Sequence, residues 1–167
     1  DGTPAIAYTY DTLDRVTSLT VGDRWKVEYR YDFLGRLAKM ITPAGQIAYD
    51  FQTGSGEVRR TLPNGIVTIW KYRPDGGLES LLHGRPLAGA QQIEVFCRFE
   101  YSYRADGLIS RVKELNGGER TLDYEYDVMQ RLTVVKDSRG GKTEYRYDQL
   151  GNRTELRWEG QPPVTTR

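Results

Sequence analysis

The stretch YRYDFLGRL, residues 29–37, sets two aromatic rings at alternate positions and follows them with an aspartate, a glycine and an arginine. In a strand, alternate side chains share a face, so Tyr29 and Tyr31 point one way and Arg30 the other. Asp32 stands where a turn begins, because a short carboxylate there accepts hydrogen bonds from backbone N–H groups two residues on. Gly35 takes the later turn position, where a left-handed backbone is easiest for a residue without Cβ. Arg36 follows within reach of Asp32, and Leu37 opens a returning strand. Strand, clamped turn and strand make a β-hairpin.

The pattern recurs. YTYDTLDRV from Tyr8, YEYDVMQRL from Tyr124 and YRYDQLGNRT from Tyr145 are close copies, and YDFQTGSGEV from Tyr49, WKYRPDGGL from Trp70 and YSYRADGLI from Tyr101 are weaker ones. With the second ring as marker, the copies fall at Tyr10, Tyr31, Phe51, Tyr72, Tyr103, Tyr126 and Tyr147, spaced 21, 20, 21, 31, 23 and 21 residues apart. The long spacing is assigned to a Gly- and Pro-containing loop inserted at 83–92, HGRPLAGAQQ. A second set of glycines, Gly22, Gly45, Gly65, Gly84, Gly118, Gly141 and Gly160, runs in phase and marks a second turn in each unit. Two turns in about 21 residues leave two short strands.

The recurring side chains divide by role. Tyr8, Tyr10, Tyr29, Tyr31, Tyr124, Tyr126, Tyr145 and Tyr147 form the packed face, joined by the first residue of each returning strand (Val16, Leu37, Val58, Leu78, Leu108, Leu132). Asp11, Asp32, Asp127 and Asp148 clamp turns, and Gly35 and Gly151 relieve them, with Asp14 and Gln130 in the glycine position of two copies. Arg15, Arg36, Arg131 and Arg153 are expected to reach the turn aspartates or the next hairpin. In the strand from Ile93, Cys97 alternates with apolar residues and reads as a small buried hydrophobe. Because a lone hairpin is marginal in water, stability must come from stacking neighbours. The predicted fold is all-β: about seven antiparallel hairpin repeats in a curved, twisted meander, one array over 1–167.

Composition agrees and narrows function. Tyr contributes 12 of 167 residues while hydrophobic types reach only 38%, so the interior is expected to be thin and ring-rich. A net charge of +1 gives no field that gathers polyanions, so no nucleic-acid partner is expected. One Cys and one His are too few for a zinc site of those ligands, and no apolar run is long enough to cross a bilayer as a helix; no metal, cofactor or membrane span is expected. The chain begins at Asp1 without a leader-like segment and reads as an excised piece.

The string from Tyr29 to Leu37 resembles the YD repeat of the Rhs family of bacterial polymorphic toxins, also similar to repeats in toxin-complex C components, wall-associated proteins and teneurins. The resemblance runs from about Tyr8 to Trp158. Three central copies depart from it, with Gln52, Arg73 and Arg104 where the turn aspartate stands. The resemblance implies a segment of a hollow β-shell that encloses a C-terminal toxin, with the rest of that shell and its cargo as partners. It also implies a parent that is secreted or delivered by a bacterial secretion system. Seven hairpins do not close such a container. The family's Asp-Pro-x-Gly-Leu cleavage signature has no match, since the chain contains no Asp-Pro pair.

No catalytic role is expected. His83 is the only histidine and falls in the assigned loop, where an exposed position is the plainer reading. The aspartates recur with the structural period, as turn residues do and a unique acid–base pair does not. Gly54-Ser55-Gly56 and Gly140-Gly141-Lys142 lack the spacing and following helix of a phosphate loop. The alternative function is a carbohydrate-binding or adhesion surface built on exposed Trp25, Trp70 and Trp158. Open sheet edges are expected to favour self-association.

Overall fold

The computed structural model describes residues 4–52, 54–87 and 92–165. Among them the secondary structure is entirely strand and turn. In chain order the strands are β1 Ile6–Tyr10, β2 Val16–Val21, β3 Trp25–Tyr31, β4 Leu37–Thr42, β5 Gly45–Gln52, β6 Glu57–Thr61, β7 Val67–Tyr72 and β8 Leu78–Pro86. They continue as β9 Ile93–Tyr103, β10 Ile109–Leu115, β11 Glu119–Tyr126, β12 Leu132–Asp137, β13 Lys142–Tyr147, β14 Arg153–Trp158 and β15 Val164–Thr165. Each strand lies beside its sequence neighbours in one sheet with β1 and β15 at its edges, the all-β meander expected from the repeats. The described residues fall into two compact units, one within Asp1–Lys71 and His83–Val95, the other within Tyr72–Leu82 and Phe96–Arg167.

One turn recurs throughout. In eight places among the described residues the N–H of residue i donates to the carbonyl of i+4, and the N–H of i+3 donates back to the carbonyl of i; i is Asp11, Asp32, Leu62, Arg73, Arg104, Asp127, Asp137 and Asp148. The i+3 residue is left-handed each time, from Asp14 at φ 57° and Gln130 at 62° to Gly140 at 107°. This is a type I turn closed by a left-handed residue, and it bulges the strand beside it. The register slips accordingly at Thr9/Tyr10, Arg30/Tyr31, Glu125/Tyr126 and Arg146/Tyr147.

The third copy is different: β5 runs through Gln52, which pairs with Glu57, so the hairpin there has another loop. Arg73 and Arg104, although they replace the aspartate, keep the common turn. The assigned insertion at 83–92 is also corrected. His83 to Pro86 belong to β8 and Ile93 opens β9, so the extra length extends two strands to 9 and 11 residues; residues 88–91 lie outside the described residues. Gly84 is therefore not a turn glycine. It is buried in β8, where a Cβ would sit 2.5 Å from the Glu94 carbonyl oxygen.

The interior is thin. Val27 and Val67 are the buried hydrophobic side chains among the described residues, and Ser18 and Thr68 are buried with them. The accessible surface, 11697 Å², exceeds the roughly 8,400 Å² expected for a globular protein of 19.1 kDa. Most rings and returning-strand aliphatics are half-buried, whereas Tyr8 and Tyr10 on the edge strand are 52% and 58% exposed. Cys97 is half-buried, less enclosed than expected, in a stretch of β9 where Val95 and Phe96 are exposed.

Candidate functional site

The recurrent aspartates and arginines converge on one arrangement, a joint between successive hairpins. Asp11 accepts the N–H groups of Leu13 at 2.9 Å and Arg15 at 3.0 Å through Oδ1, and the Arg15 Nε at 2.8 Å through Oδ2. That pairing holds the guanidinium 4.5 Å from the centre of the Tyr31 ring in the next hairpin. Tyr31 in turn donates its hydroxyl to the Val16 carbonyl at 2.8 Å, back across the joint. A cation over a ring face is attracted by the ring quadrupole, and the hydroxyl bond fixes the ring's tilt.

The joint repeats with variations. Asp32 holds Arg36 4.2 Å from the Phe51 ring, which has no hydroxyl to return. Asp127 holds Arg131 4.9 Å from the Tyr147 ring, and Tyr147 donates to the Leu132 carbonyl at 2.8 Å. Arg131 also donates through Nη1 to the Asp148 carbonyl at 3.0 Å, tying two turns together.

In the departing copies the charges exchange places. Arg73 stands at the aspartate position and pairs with Asp75 two residues later. Its guanidinium lies 4.6 Å from the Tyr103 ring, and Tyr103 donates to the Leu78 carbonyl at 2.8 Å. Arg104 pairs with Asp106 at 2.8 Å and lies 5.6 Å from the Tyr126 ring, whose hydroxyl reaches the Ile109 carbonyl at 2.9 Å. The carboxylates of Asp75 and Asp106 still cap the i+4 N–H, of Gly77 at 3.0 Å and Leu108 at 3.3 Å, and Asn64 does the same for Ile66 at 3.1 Å. Asn64, Asp75 and Asp106 escape a motif search tuned to Tyr-Asp, although each precedes a glycine, a turn signal in its own right.

These contacts lower carboxylate pKa values. The Arg15 side chain chiefly holds Asp11 below the usual 3.8, the Arg131 N–H does so for Asp127, and the Asn152 side chain for Asp148. At Asp32 partial burial pushes upward, but the Arg36 N–H and guanidinium together outweigh it.

Two expected placements are corrected. Arg153 does not serve the Asp148 turn: it is exposed at the start of β14, and Asn152 fills the arginine position, donating to Asp148 through its N–H at 2.9 Å and its amide at 3.1 Å. His83 is not an exposed loop residue: it is half-buried in β8, with Nδ1 3.0 Å from the hydroxyl of Thr68. Thr68 also accepts from the Arg60 Nη2 at 3.2 Å. Arg60 breaks the packed face, because it faces Tyr49 across the ladder where other copies place Leu19, Met40, Val112, Val135 or Leu156 opposite the ring. Its guanidinium lies 5.4 Å from the ring of Trp70, which is half-buried, while Trp25 and Trp158 are 46% and 45% exposed.

No protein-family model and no curated protein matches the sequence. Among solved structures the chain is similar to one in the crystal structure of TcdB2-TccC3-Cdc42, with 11% identity and a TM-score of 0.36 over 96% of this chain and 12% of that one. It is also similar to one in TcdB2-TccC3-TEV, with 13% identity and a TM-score of 0.31 over 92% and 12%. A protein of unknown function from Bacteroides fragilis aligns at 9% identity and a TM-score of 0.13 over 98% of this chain and 91% of its own. The chain thus spans about an eighth of the length of the first two.

Proposed function

We propose that this chain is a non-catalytic scaffold, a section of an Rhs-type wall that encloses a toxin within a secreted or delivered bacterial protein. One observation carries the reading: the charged and phenolic groups that repeat along the chain serve joints between hairpins. Asp–Arg pairs hold turns, guanidinium groups cover rings, and ring hydroxyls bond the preceding strand. Side chains used in this way can extend a wall by similar steps, as stacking repeats do. The wall would have the remainder of the shell and its cargo as partners and would need no cofactor. The last step, from wall to toxin container, rests on the resemblance of the repeat motif.

The test is protease resistance of the cargo in a polypeptide that carries this array with its toxin. Slower digestion than that of the free toxin is the expected result. Equal rates would reject enclosure. A second reading, glycan binding, is favoured by half-exposed Trp158 beside a depression of about 270 Å³ lined also by Arg120 and Asp137. Glycan-array signal abolished by Trp158→Ala would support that reading instead.

A further inference from the structure

Two Asn-Gly pairs occur in the chain, Asn64-Gly65 and Asn116-Gly117. Asparagine is a thermolabile residue, and a glycine after it lowers the barrier to deamidation, because a backbone nitrogen beside no Cβ closely approaches the side-chain amide. The fold treats the two pairs differently.

Asn64 lies in the recurrent turn. Gly65 donates its N–H to the Leu62 carbonyl at 2.9 Å, and the Asn64 Oδ1 accepts the Ile66 N–H at 3.1 Å. The nitrogen that would attack and the amide that it would attack are therefore held by different partners. The Asp-Gly pairs in this turn are held in the same way. Gly76 donates to the Arg73 carbonyl at 2.9 Å and Gly107 to the Arg104 carbonyl at 3.1 Å, while Asp75 and Asp106 cap Gly77 and Leu108.

Asn116 stands outside that turn form. It opens the loop between β10 and β11, where Asn116, Gly117 and Gly118 are all exposed. The loop is tied at the Gly118 carbonyl, which accepts the Asn116 N–H at 3.2 Å and the Arg139 Nη2 at 3.1 Å. Among the described residues no hydrogen bond holds the Gly117 N–H or the Asn116 side-chain amide. Gly117 is left-handed at φ 63°, with nothing within 4 Å of the place a Cβ would take.

We propose that Asn116 is a site of spontaneous deamidation and that the recurrent turn protects Asn64 from the same reaction. A base takes the Gly117 N–H proton, the nitrogen attacks Asn116 Cγ, and the side-chain nitrogen leaves as ammonia, which closes a succinimide ring. Water then opens the ring at either carbonyl, giving aspartate or isoaspartate. The net change is water consumed and ammonia released, with nothing oxidised or reduced. Isoaspartate carries Cβ in the main chain, so it lengthens a loop that the Leu115–Glu119 pair closes. The inference rests on turn geometry and stands whether or not the array is a wall.

The intact chain is incubated in mildly alkaline buffer, folded and in urea, and then cut with trypsin. Cleavage after Arg60 and Lys71 releases Asn64 in residues 61–71, and cleavage after Lys113 and Arg120 releases Asn116 in residues 114–120. Mass spectrometry follows the replacement of NH by O in each peptide. In the folded chain residues 114–120 should convert at least about tenfold faster than residues 61–71, the order of slowing expected when two hydrogen bonds must break before attack. In urea the gap should close. Equal rates in the folded chain, a faster Asn64, or an Asn116 that converts only in urea would overturn the proposal. A gap that persists in urea would overturn it as well, since local sequence and not the turn would then set the rates.

Discussion

The Arg73 guanidinium lies 4.6 Å from the centre of the Tyr103 ring even though Arg73 stands where other turns carry aspartate. Position in the motif is thus less constrained than the location of the charge. Arg73→Asp restores the Tyr-Asp spelling but removes the cation from the ring, and Gly77, at the usual arginine position, cannot replace it. The single variant should lower the thermal unfolding midpoint, and adding Gly77→Arg should recover at least half of the loss. Gly77 has no left-handed backbone to oppose the change, and the nearest atoms to an added Cβ, 3.2 Å away, are the ends of the Arg73 and Asp75 side chains. Additive losses in the double variant would show that the swapped pair is not an equivalent of Asp–Arg.

Phenolic hydroxyls divide by location in the same way. Tyr31 and Tyr147 each donate to a carbonyl across a joint at 2.8 Å, and Phe51 shows that a joint tolerates a ring without the hydroxyl. Tyr31→Phe and Tyr147→Phe should each cost about 1 kcal/mol in urea unfolding. Tyr10→Phe, on an exposed edge ring, should fall within about 0.5 kcal/mol of the parent.

Strand positions, ring faces and the aspartate clamps were legible because each is local: alternation sets the face and a short carboxylate sets the turn. What sequence spacing could not separate was the use of a glycine. Gly65 and Gly84 fall in phase, yet Gly65 is left-handed at φ 80° in a turn and Gly84 lies inside a strand. The Arg153 misplacement has a similar cause. One residue of offset between Gly-Arg-Leu and Gly-Asn-Arg moves the arginine out of the turn and into β14. Arg60 and His83 were illegible for a third reason, since their shared partner Thr68 is reached only through strand pairing.

Acid should loosen the array in a defined range. Asp11, Asp32, Asp127 and Asp148 have folded-state pKa values below the 3.8 of an unperturbed aspartate. Depressed values mean that the ionised carboxylates stabilise the fold fully above 3.8 and that this contribution drains as pH falls toward the folded-state values. The urea midpoint should be level from about pH 7 to about pH 5 and decline below about pH 4. A variant carrying Asp11→Asn, Asp32→Asn and Asp127→Asn should start lower at neutral pH and show a shallower acid limb. An unchanged limb would mean that other carboxylates govern acid unfolding.

Gly84 gives the test that separates strand from loop. In a surface loop, Gly84→Ala would be nearly silent. In β8, an added Cβ meets the Glu94 carbonyl oxygen and Ile93 Cγ2, each at 2.5 Å, and the first of these is backbone that cannot swing aside. Relief requires moving one strand away from the other, beside the buried Thr68 and its bond to His83. Overpacking of that kind costs about 1–3 kcal/mol. Gly84→Ala should lower the urea midpoint accordingly and speed amide exchange around His83. Gly54→Ala, with open space around its Cβ but a φ of 94°, supplies the comparison: backbone strain in a hairpin loop without collision, and faster exchange confined to that loop.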